Sequence, residues 1–276
     1  MTDHAPAKQP PATPEELLIR DDGAVRWISL HRPASKNGLT VALNQRIIAA
    51  FEDAAAAESV RCVVLTGEGG NFCSGLDLKS AMSEAEAMQG EGVAEERMNR
   101  YFHGLIRAVV RCPKPVIALI DGAAVGFGCD LALACDLRLG TPRARLGEIF
   151  VKRGLMPDGG GTFFLPRLVG TAKAFELMMT GDVIEAEEAL RLGLVNRLVP
   201  VEQAVAETAA FAKRLCEGAP LVQAWIKRAV YGALGGTLED ALALERQGQM
   251  QLLRSADFAE GLLAFFEKRP PRFTGR

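Results

Sequence analysis

Apolar residues along this chain alternate between two periods, and the switches mark its elements. Two strand-like runs, 17–20 and 25–30, flank Asp21-Asp22-Gly23 and read as a β-hairpin. Thr40 then stands where a helix N-cap belongs. Leu43, Ile47, Ile48 and Phe51 follow at three- and four-residue spacing, which predicts a helix through about Ala57. The runs RCVVLTG (61–67) and PVIALIDG (115–122) are buried strands by their continuous apolar character, and GFGCDLALACD is a buried helix leading into LRLGT. Strand, loop, helix and strand connected this closely predict an α/β domain. From Ala186 onward the pattern is helical over 186–192, 201–217, 221–233, 238–253 and 257–267, interrupted by one strand-like piece, VNRLVP. The expected organisation is an α/β core over 15–200 and a helical C-terminal region over 201–276. Residues 1–14, rich in Pro and Ala without periodicity, are expected to be a disordered tail. The Met-, Glu- and Gly-rich stretch 80–100 reads either as a solvated amphipathic connection or as a lid over a substrate.

Composition narrows the function classes. With 276 residues, 49% of them hydrophobic, the chain can bury a sizeable core. Its 32 basic and 34 acidic residues give a net charge of −2 with no basic block interleaved with aromatics, which argues against nucleic acid as a partner. Apolar runs such as 116–120 are too short to cross a bilayer, and the N-terminus lacks a basic region followed by an apolar stretch. The expected location is therefore cytoplasmic, with no membrane partner. The six cysteines, Cys62, Cys73, Cys112, Cys129, Cys135 and Cys216, form no C-x-x-C pair and read as reduced core residues. The three histidines, His4, His31 and His103, lack ligand spacing, so no metal site is expected; His31 and His103 read as structural or surface residues.

Two Gly-containing turns follow buried strands: GGNFCSGLDLK and DGAAVGFGCD. Neither is a phosphate-binding motif. Gly75, Gly126 and Gly128 instead suggest main chain held close to something bulky, because glycine permits positive φ and close approach. A third segment, GLMPDGGGTFFLPRLVG, sets Asp158 between Pro157 and three glycines. Locally, Asp158 reads either as a turn residue or cap of a helix starting near Thr162, or as an acid for chemistry. Asp130 likewise suits a helix first turn by its charge alone.

Together HRPASKNGLT, FCSGLDLK, KPVIALIDGAAVGFGCDLALACDLRLG, GLMPDGGGTFFLPRLVG and GLVNRLV, in this order, resemble the enoyl-CoA hydratase/isomerase (crotonase) superfamily from Glu15 to the C-terminus. The resemblance implies a crotonase-like (ClpP/crotonase) α/β spiral of ββα units with a helical C-terminal part. It also implies an acyl-CoA thioester substrate and no cofactor beyond the coenzyme A that the substrate carries. Two backbone N–H groups that polarise the thioester carbonyl map to Leu76 and Phe127. Preorganised donors of this kind are worth about 3 kcal/mol each at a developing enolate oxygen. Leucine and phenylalanine depart from the small residues usual there, and they are expected to narrow or reshape the acyl pocket. Coenzyme A contacts are implied for Ser35, Lys36, Asp77, Leu78, Lys79 and Lys268, with Phe150 lining the substrate; an exposed lysine such as Lys268 also has the plain reading of a solvated side chain.

The resemblance also sharpens the question of the acid. Hydratases of this family use two glutamates, because adding water needs a positioned water and a proton donor. Here those positions are Asp130 and Phe150. Phe150 cannot transfer a proton, and Glu148, two residues earlier, is left outside the expected site. Asp158 remains, in the PD-x-GG context of the branch that resembles 2-(1,2-epoxy-1,2-dihydrophenyl)acetyl-CoA isomerase of phenylacetate degradation. The expected activity is an isomerase that moves a proton with Asp158, with Asp130 as a second acid. The alternatives are a 2-enoyl-CoA hydratase and a non-catalytic acyl-CoA- or RNA-binding member. The RNA reading is weakened by VALNQRIIAAFEDAAAAE, which carries one Arg and three acids where a lysine-rich helix would be needed. Family members are usually trimers or dimers of trimers, so a homotrimer or hexamer is implied. Trp225, Phe258, Phe265 and Phe266 read as core or interface packing.

Overall fold

The computed structural model describes residues 15–78, 80 and 91–276. The expected tail over 1–14, Lys79 and 81–90 of the lid segment lie outside them. In chain order the first elements are β1 (Leu17–Asp22), β2 (Val25–Leu30), α1 (Val41–Ala56), β3 (Cys62–Gly67), α2 (Glu91–Arg97), α3 (His103–Arg111) and β4 (Val116–Ile120). Next come β5 (Ala123–Val125), α4 (Phe127–Ala134), β6 (Leu137–Gly140), β7 (Arg145–Gly147), α5 (Gly161–Val169) and α6 (Thr171–Thr180). The chain ends with β8 (Ile184–Glu185), α7 (Ala186–Arg191), β9 (Arg197–Leu198), α8 (Ala204–Cys216), α9 (Pro220–Ala233), α10 (Leu238–Leu252) and α11 (Ala256–Glu267).

Among the described residues the strands form two sheets. The larger has the order β1-β2-β3-β4-β6-β9; the expected hairpin β1/β2 is antiparallel and the other pairs are parallel. The period-two geometry of a strand explains why β3 and β4 carry no polar alternation. Val63, Leu65, Val116, Ala118 and Ile120 point into one core with Leu43, Ile47 and Phe51 of α1 and Leu105 and Val109 of α3. Cys62, Val64, Ile117 and Leu119 point the other way, into a second core with Val25, Trp27, Leu139 and Ala212 of α8. The first helix of the expected C-terminal region thus covers the second face of the sheet. Helix α1 begins as its sequence indicated: Thr40 Oγ1 accepts the Leu43 N–H at 3.1 Å.

The smaller sheet, β5-β7-β8, left no sequence signal, because strands of two or three residues are too short to show alternation. Helices α3 and α6 were also missed. The first is reached through a π turn, Met98–Phe102, that breaks the 3.6-residue period. The C-terminal helices are tied to the sheet by one buried acid. Asp136 accepts the Val116 N–H at 2.8 Å and pairs at 2.8 Å with Lys227 of α9, while Tyr231 donates to it at 3.3 Å. No helix among the described residues is long and apolar enough to cross a membrane.

Candidate active site

The two Gly-containing turns meet. β-type bridges join Leu39 to Leu76 and Cys73 to Ala124, with Cys73 N–H donating to Ala123 O at 2.9 Å and Val125 N–H to Cys73 O at 3.0 Å. Asn37, fully buried, clamps this junction from below: its Nδ2 donates to Glu68 O at 2.9 Å and Asn71 O at 2.7 Å, and its Oδ1 accepts the Arg32 N–H at 2.8 Å. Gly75 (φ 88°) and Gly126 (φ 56°) precede Leu76 and Phe127 in conformations that side-chain-bearing residues rarely adopt. They are also packed together: a Cβ on Gly75 would lie 2.9 Å from Val125 O and 3.2 Å from Phe127 N. One residue further on, a Cβ on Gly128 would collide with the Cys73 carbonyl. The Leu76 and Phe127 amides therefore lie side by side, and among the described residues neither donates to a protein acceptor. Phe127 also opens α4, whose positive end adds to the field at that spot.

The Phe127 side chain, expected to narrow or reshape the acyl pocket, lies in the protein interior. Its ring is buried in the main core, edge-to-face with Phe102 at 5.5 Å between centroids, and Gly159 packs on its other side, where a Cβ would be 2.9 Å from Cε2. Leu76 likewise packs against that core. Both residues offer the site their main chain.

Three carboxyls gather beside this pair of amides. Asp130, one turn into α4, is 0% exposed, and its Oδ2 accepts the Gly159 N–H at 2.7 Å. That bond fixes the turn that carries Asp158. Asp158 is half-buried, with one carboxylate oxygen buried and unpartnered. It does not cap α5, since Gly160 (φ 91°) occupies the cap position without a side-chain bond; the cap reading of Asp158 is set aside, and the amide of this turn is taken by Asp130. The third carboxyl is Glu148, left out by the sequence reading. It is 1% exposed, and neither of its oxygens has a hydrogen-bond partner. A Cβ on Gly161 would collide with Asp130 Oδ1 and lie 2.9 Å from Glu148 Oε1, so the two acids converge on one point at the N-terminus of α5. Glu148 enters the cluster because the chain leaves β7 directly into the 3-10 turn Ile149–Arg153, which breaks the register on which its exclusion rested. Its only sequence signal was an acid inside the otherwise apolar LGEIF.

Electrostatics follow from that geometry. Burial, reinforced by the charge of Asp158 and opposed by the Gly159 amide, pushes Asp130 up to about 7. Burial and the charges of Asp130 and Asp158 push Glu148 well above the usual carboxylate range. Burial also raises Asp158, opposed by the field of His103 and by its own backbone N–H. His103, read as structural from sequence, thus stands at the site, brought there by the π turn that also seats Phe102 on Phe127.

The remaining expected residues divide. Ser35 and Lys36 form a turn against the segment leading to Leu76: Ser74 N–H donates to Lys36 O at 3.0 Å and Ser74 Oγ to Ser35 O at 3.0 Å. Asp77 pairs with Arg32 at 2.9 Å and Leu78 is exposed, so these four lie together on one rim. Phe150 is buried in the main core. Lys268 is exposed at the end of α11. The tail beyond it is anchored by Arg61, which donates to Phe273 O at 2.6 Å at the N-terminal end of β3, whereas the site forms beyond the C-terminal end of that strand. Among the described residues no group of three His, Cys, Asp or Glu side chains is arranged to hold a metal.

Two amides without a protein acceptor among the described residues, one of them at the start of a buried helix, beside a half-buried acid on a glycine turn, could receive an oxygen that gains negative charge. Comparison with known proteins gives the family. The profile of the enoyl-CoA hydratase/isomerase family matches residues 20–276, and the chain belongs to that family. It is 41% identical over 249 residues to a Rhodobacter capsulatus protein named "Probable enoyl-CoA hydratase", covering 90% of this chain and 94% of the relative. It is 34% identical over 264 residues to the 1,2-epoxyphenylacetyl-CoA isomerase of Escherichia coli K12, covering 95% and 99%. Among solved structures, an enoyl-CoA hydratase from Bacillus anthracis superimposes with a TM-score of 0.88 at 32% identity over 95% of this chain and 100% of that one. The crotonase-like fold expected from the motifs is thereby established.

The raised acids make stability depend on pH with a definite sign. Between the ordinary carboxylate range, about 4, and the folded-state value of Asp130, about 7, the folded chain holds protons that the unfolded chain has lost. Their contribution is full below that window and fades as pH rises through it. Thermal melts should therefore show Tm falling between about pH 5 and about pH 7.5, with a shallower fall in Asp130→Asn. An identical slope in that variant would show that Asp130 is not raised.

Proposed function

We propose that the chain is an acyl-CoA isomerase that shifts a double bond by proton transfer through a thioester enolate. The observation that carries this reading is the unequal access of the three carboxyls. Asp130 and Glu148 are 0% and 1% exposed, while Asp158 keeps a partly open face beside the oxyanion amides. With the thioester oxygen accepting the Leu76 and Phe127 N–H groups, negative charge developing there meets preorganised dipoles and the start of α4. The carbons next in conjugation become acidic, and Asp158 takes a proton from one and returns it to another. Its raised proton affinity suits that task, because a shuttle works best with a pKa near the operating pH. Asp130 then serves as a positioning residue that holds the Gly159 amide. The name of the E. coli relative, an isomerase, supports the reading.

A second reading is a 2-enoyl-CoA hydratase, favoured by the names of several relatives, including those from Rhodobacter capsulatus and Thermus thermophilus. Hydration needs a second acid in reach of water, and in this chain that acid would have to be Asp130. Coenzyme A would lie along the rim of Ser35, Lys36, Asp77 and Leu78. The assembly we propose is a homotrimer or a dimer of trimers. Large apolar side chains exposed on the C-terminal helices support it: Leu238 of α10 and Phe265 and Phe266 of α11 are each more than two-thirds exposed, at 72%, 77% and 71%.

Two measurements test these proposals. Purified protein should convert 3-enoyl- to 2-enoyl-CoA, and Asp158→Asn should lower kcat by about a thousandfold or more while acyl-CoA binding stays within a few-fold. Rapid loss of the conjugated-thioester absorbance with crotonyl-CoA, retained in Asp158→Asn, would favour hydration instead. Sedimentation equilibrium should give three or six times the chain mass, and a monomer at micromolar concentration would contradict the proposed assembly.

A further inference from the structure

The feature that the proposed proton shuttle does not use is Glu148. A glutamate at 1% exposure with both oxygens unpartnered is costly whatever its charge, and a lone buried carboxylate is the costliest form. The groups around it limit what it can be. Asp130 faces it across Gly161, with Oδ2 already accepting the Gly159 N–H and Oδ1 buried without a partner. The Cys129 thiol lies beside it, Asp158 adds a negative charge from the next turn, and His103 acts on Asp158 through its field. Among the described residues neither Glu148 nor Asp130 forms an ion pair within 4 Å with a lysine or arginine. Two ionised carboxylates meeting at one buried point repel each other strongly, as paired acids do when they share one site.

We infer that Glu148 and Asp130 share a single proton that resides on Glu148 and is donated to Asp130 Oδ1, making Glu148 the positioning residue behind the turn that carries Asp158. The assignment satisfies the orphaned atoms. Asp130, as the carboxylate, accepts from the Gly159 N–H on one oxygen and from the Glu148 carboxyl on the other. One negative charge remains, at the N-terminus of α5, where the helix dipole favours it. The reverse placement, with the proton on Asp130 Oδ1, would leave the charge on Glu148, whose oxygens have no other partner among the described residues, and would spend the Gly159 N–H on a neutral carboxyl. Losing the proton at high pH would leave two charges beside Asp158 and loosen the turn. The inference about the role in turnover rests on the isomerase reading, whereas the shared proton does not.

Infrared spectroscopy of the resting protein separates the two. At about pH 8, well above ordinary carboxyl values, the wild type should show a protonated-carboxyl C=O band that Glu148→Gln lacks, because the glutamine amide donates to Asp130 without a titrating proton. No such band in the wild type, or an unaltered band in Glu148→Gln, would overturn the inference. No substrate is needed, so failure of the isomerase reading leaves this result standing. In turnover, the alkaline limb of the kcat profile should move up by about one pH unit or more in Glu148→Gln. Glu148→Ala, which leaves Asp130 Oδ1 unpaired, should lose about tenfold or more in kcat with KM within about twofold. An alkaline limb unmoved in Glu148→Gln would deny Glu148 its positioning role.

Discussion

The contact on which the site depends is between main chains. The start of α4 presses against residues 73–75 closely enough that no Cβ fits at Gly128, and a Cβ on Gly75 would lie 3.2 Å from the Phe127 nitrogen. Backbone that close must satisfy its polar groups, and it does so through the Cys73–Ala124 bridge and the Asn37 clamp beneath. Two amides, those of Leu76 and Phe127, are left over among the described residues. Preorganised donors of this kind cost nothing to orient at the moment of reaction, which is why their fixed position matters more than the side chains attached to them. Leu76 and Phe127 illustrate the point: both side chains pack against the core, and Phe127 does so as part of a stack with Phe102 and Gly159.

The same helix organises the acids. Asp130 leaves α4 one turn after Phe127 and holds the Gly159 amide, so the glycine turn that bears Asp158 is referenced to the helix that bears the oxyanion donor. In the proposed roles, donor and base are both placed by this helix. The buried carboxyls near Asp158 raise one another's proton affinities, and at Asp158 the field of His103 opposes that rise.

Much of this was legible in the sequence. β3 and β4 announce themselves because a strand buried on both faces has no polar alternation, and Thr40 and the Leu43 to Phe51 periodicity marked α1. The turns holding Leu76, Phe127 and Asp158 were readable from their glycines and from the family motifs. Glu148 was hidden, because its direction is set by the 3-10 turn at 149–153, and a one-residue change of register reverses a side chain. His103 was hidden for a similar reason, since the π turn before it rotates the following helix. Lys268 was carried over from a motif, and it stands exposed at the end of α11.

The account turns on whether the Leu76 and Phe127 amides receive the thioester oxygen while Asp158 faces the carbons beside it. A crystal structure with a non-reacting 2-enoyl-CoA analogue tests this directly. The carbonyl oxygen should lie about 2.7–3.1 Å from both nitrogens, with the Asp158 carboxylate within about 3.5 Å of the α or γ carbon. A thioester oxygen bound away from either amide, or an Asp158 carboxylate turned toward solvent with the ligand in place, would contradict it.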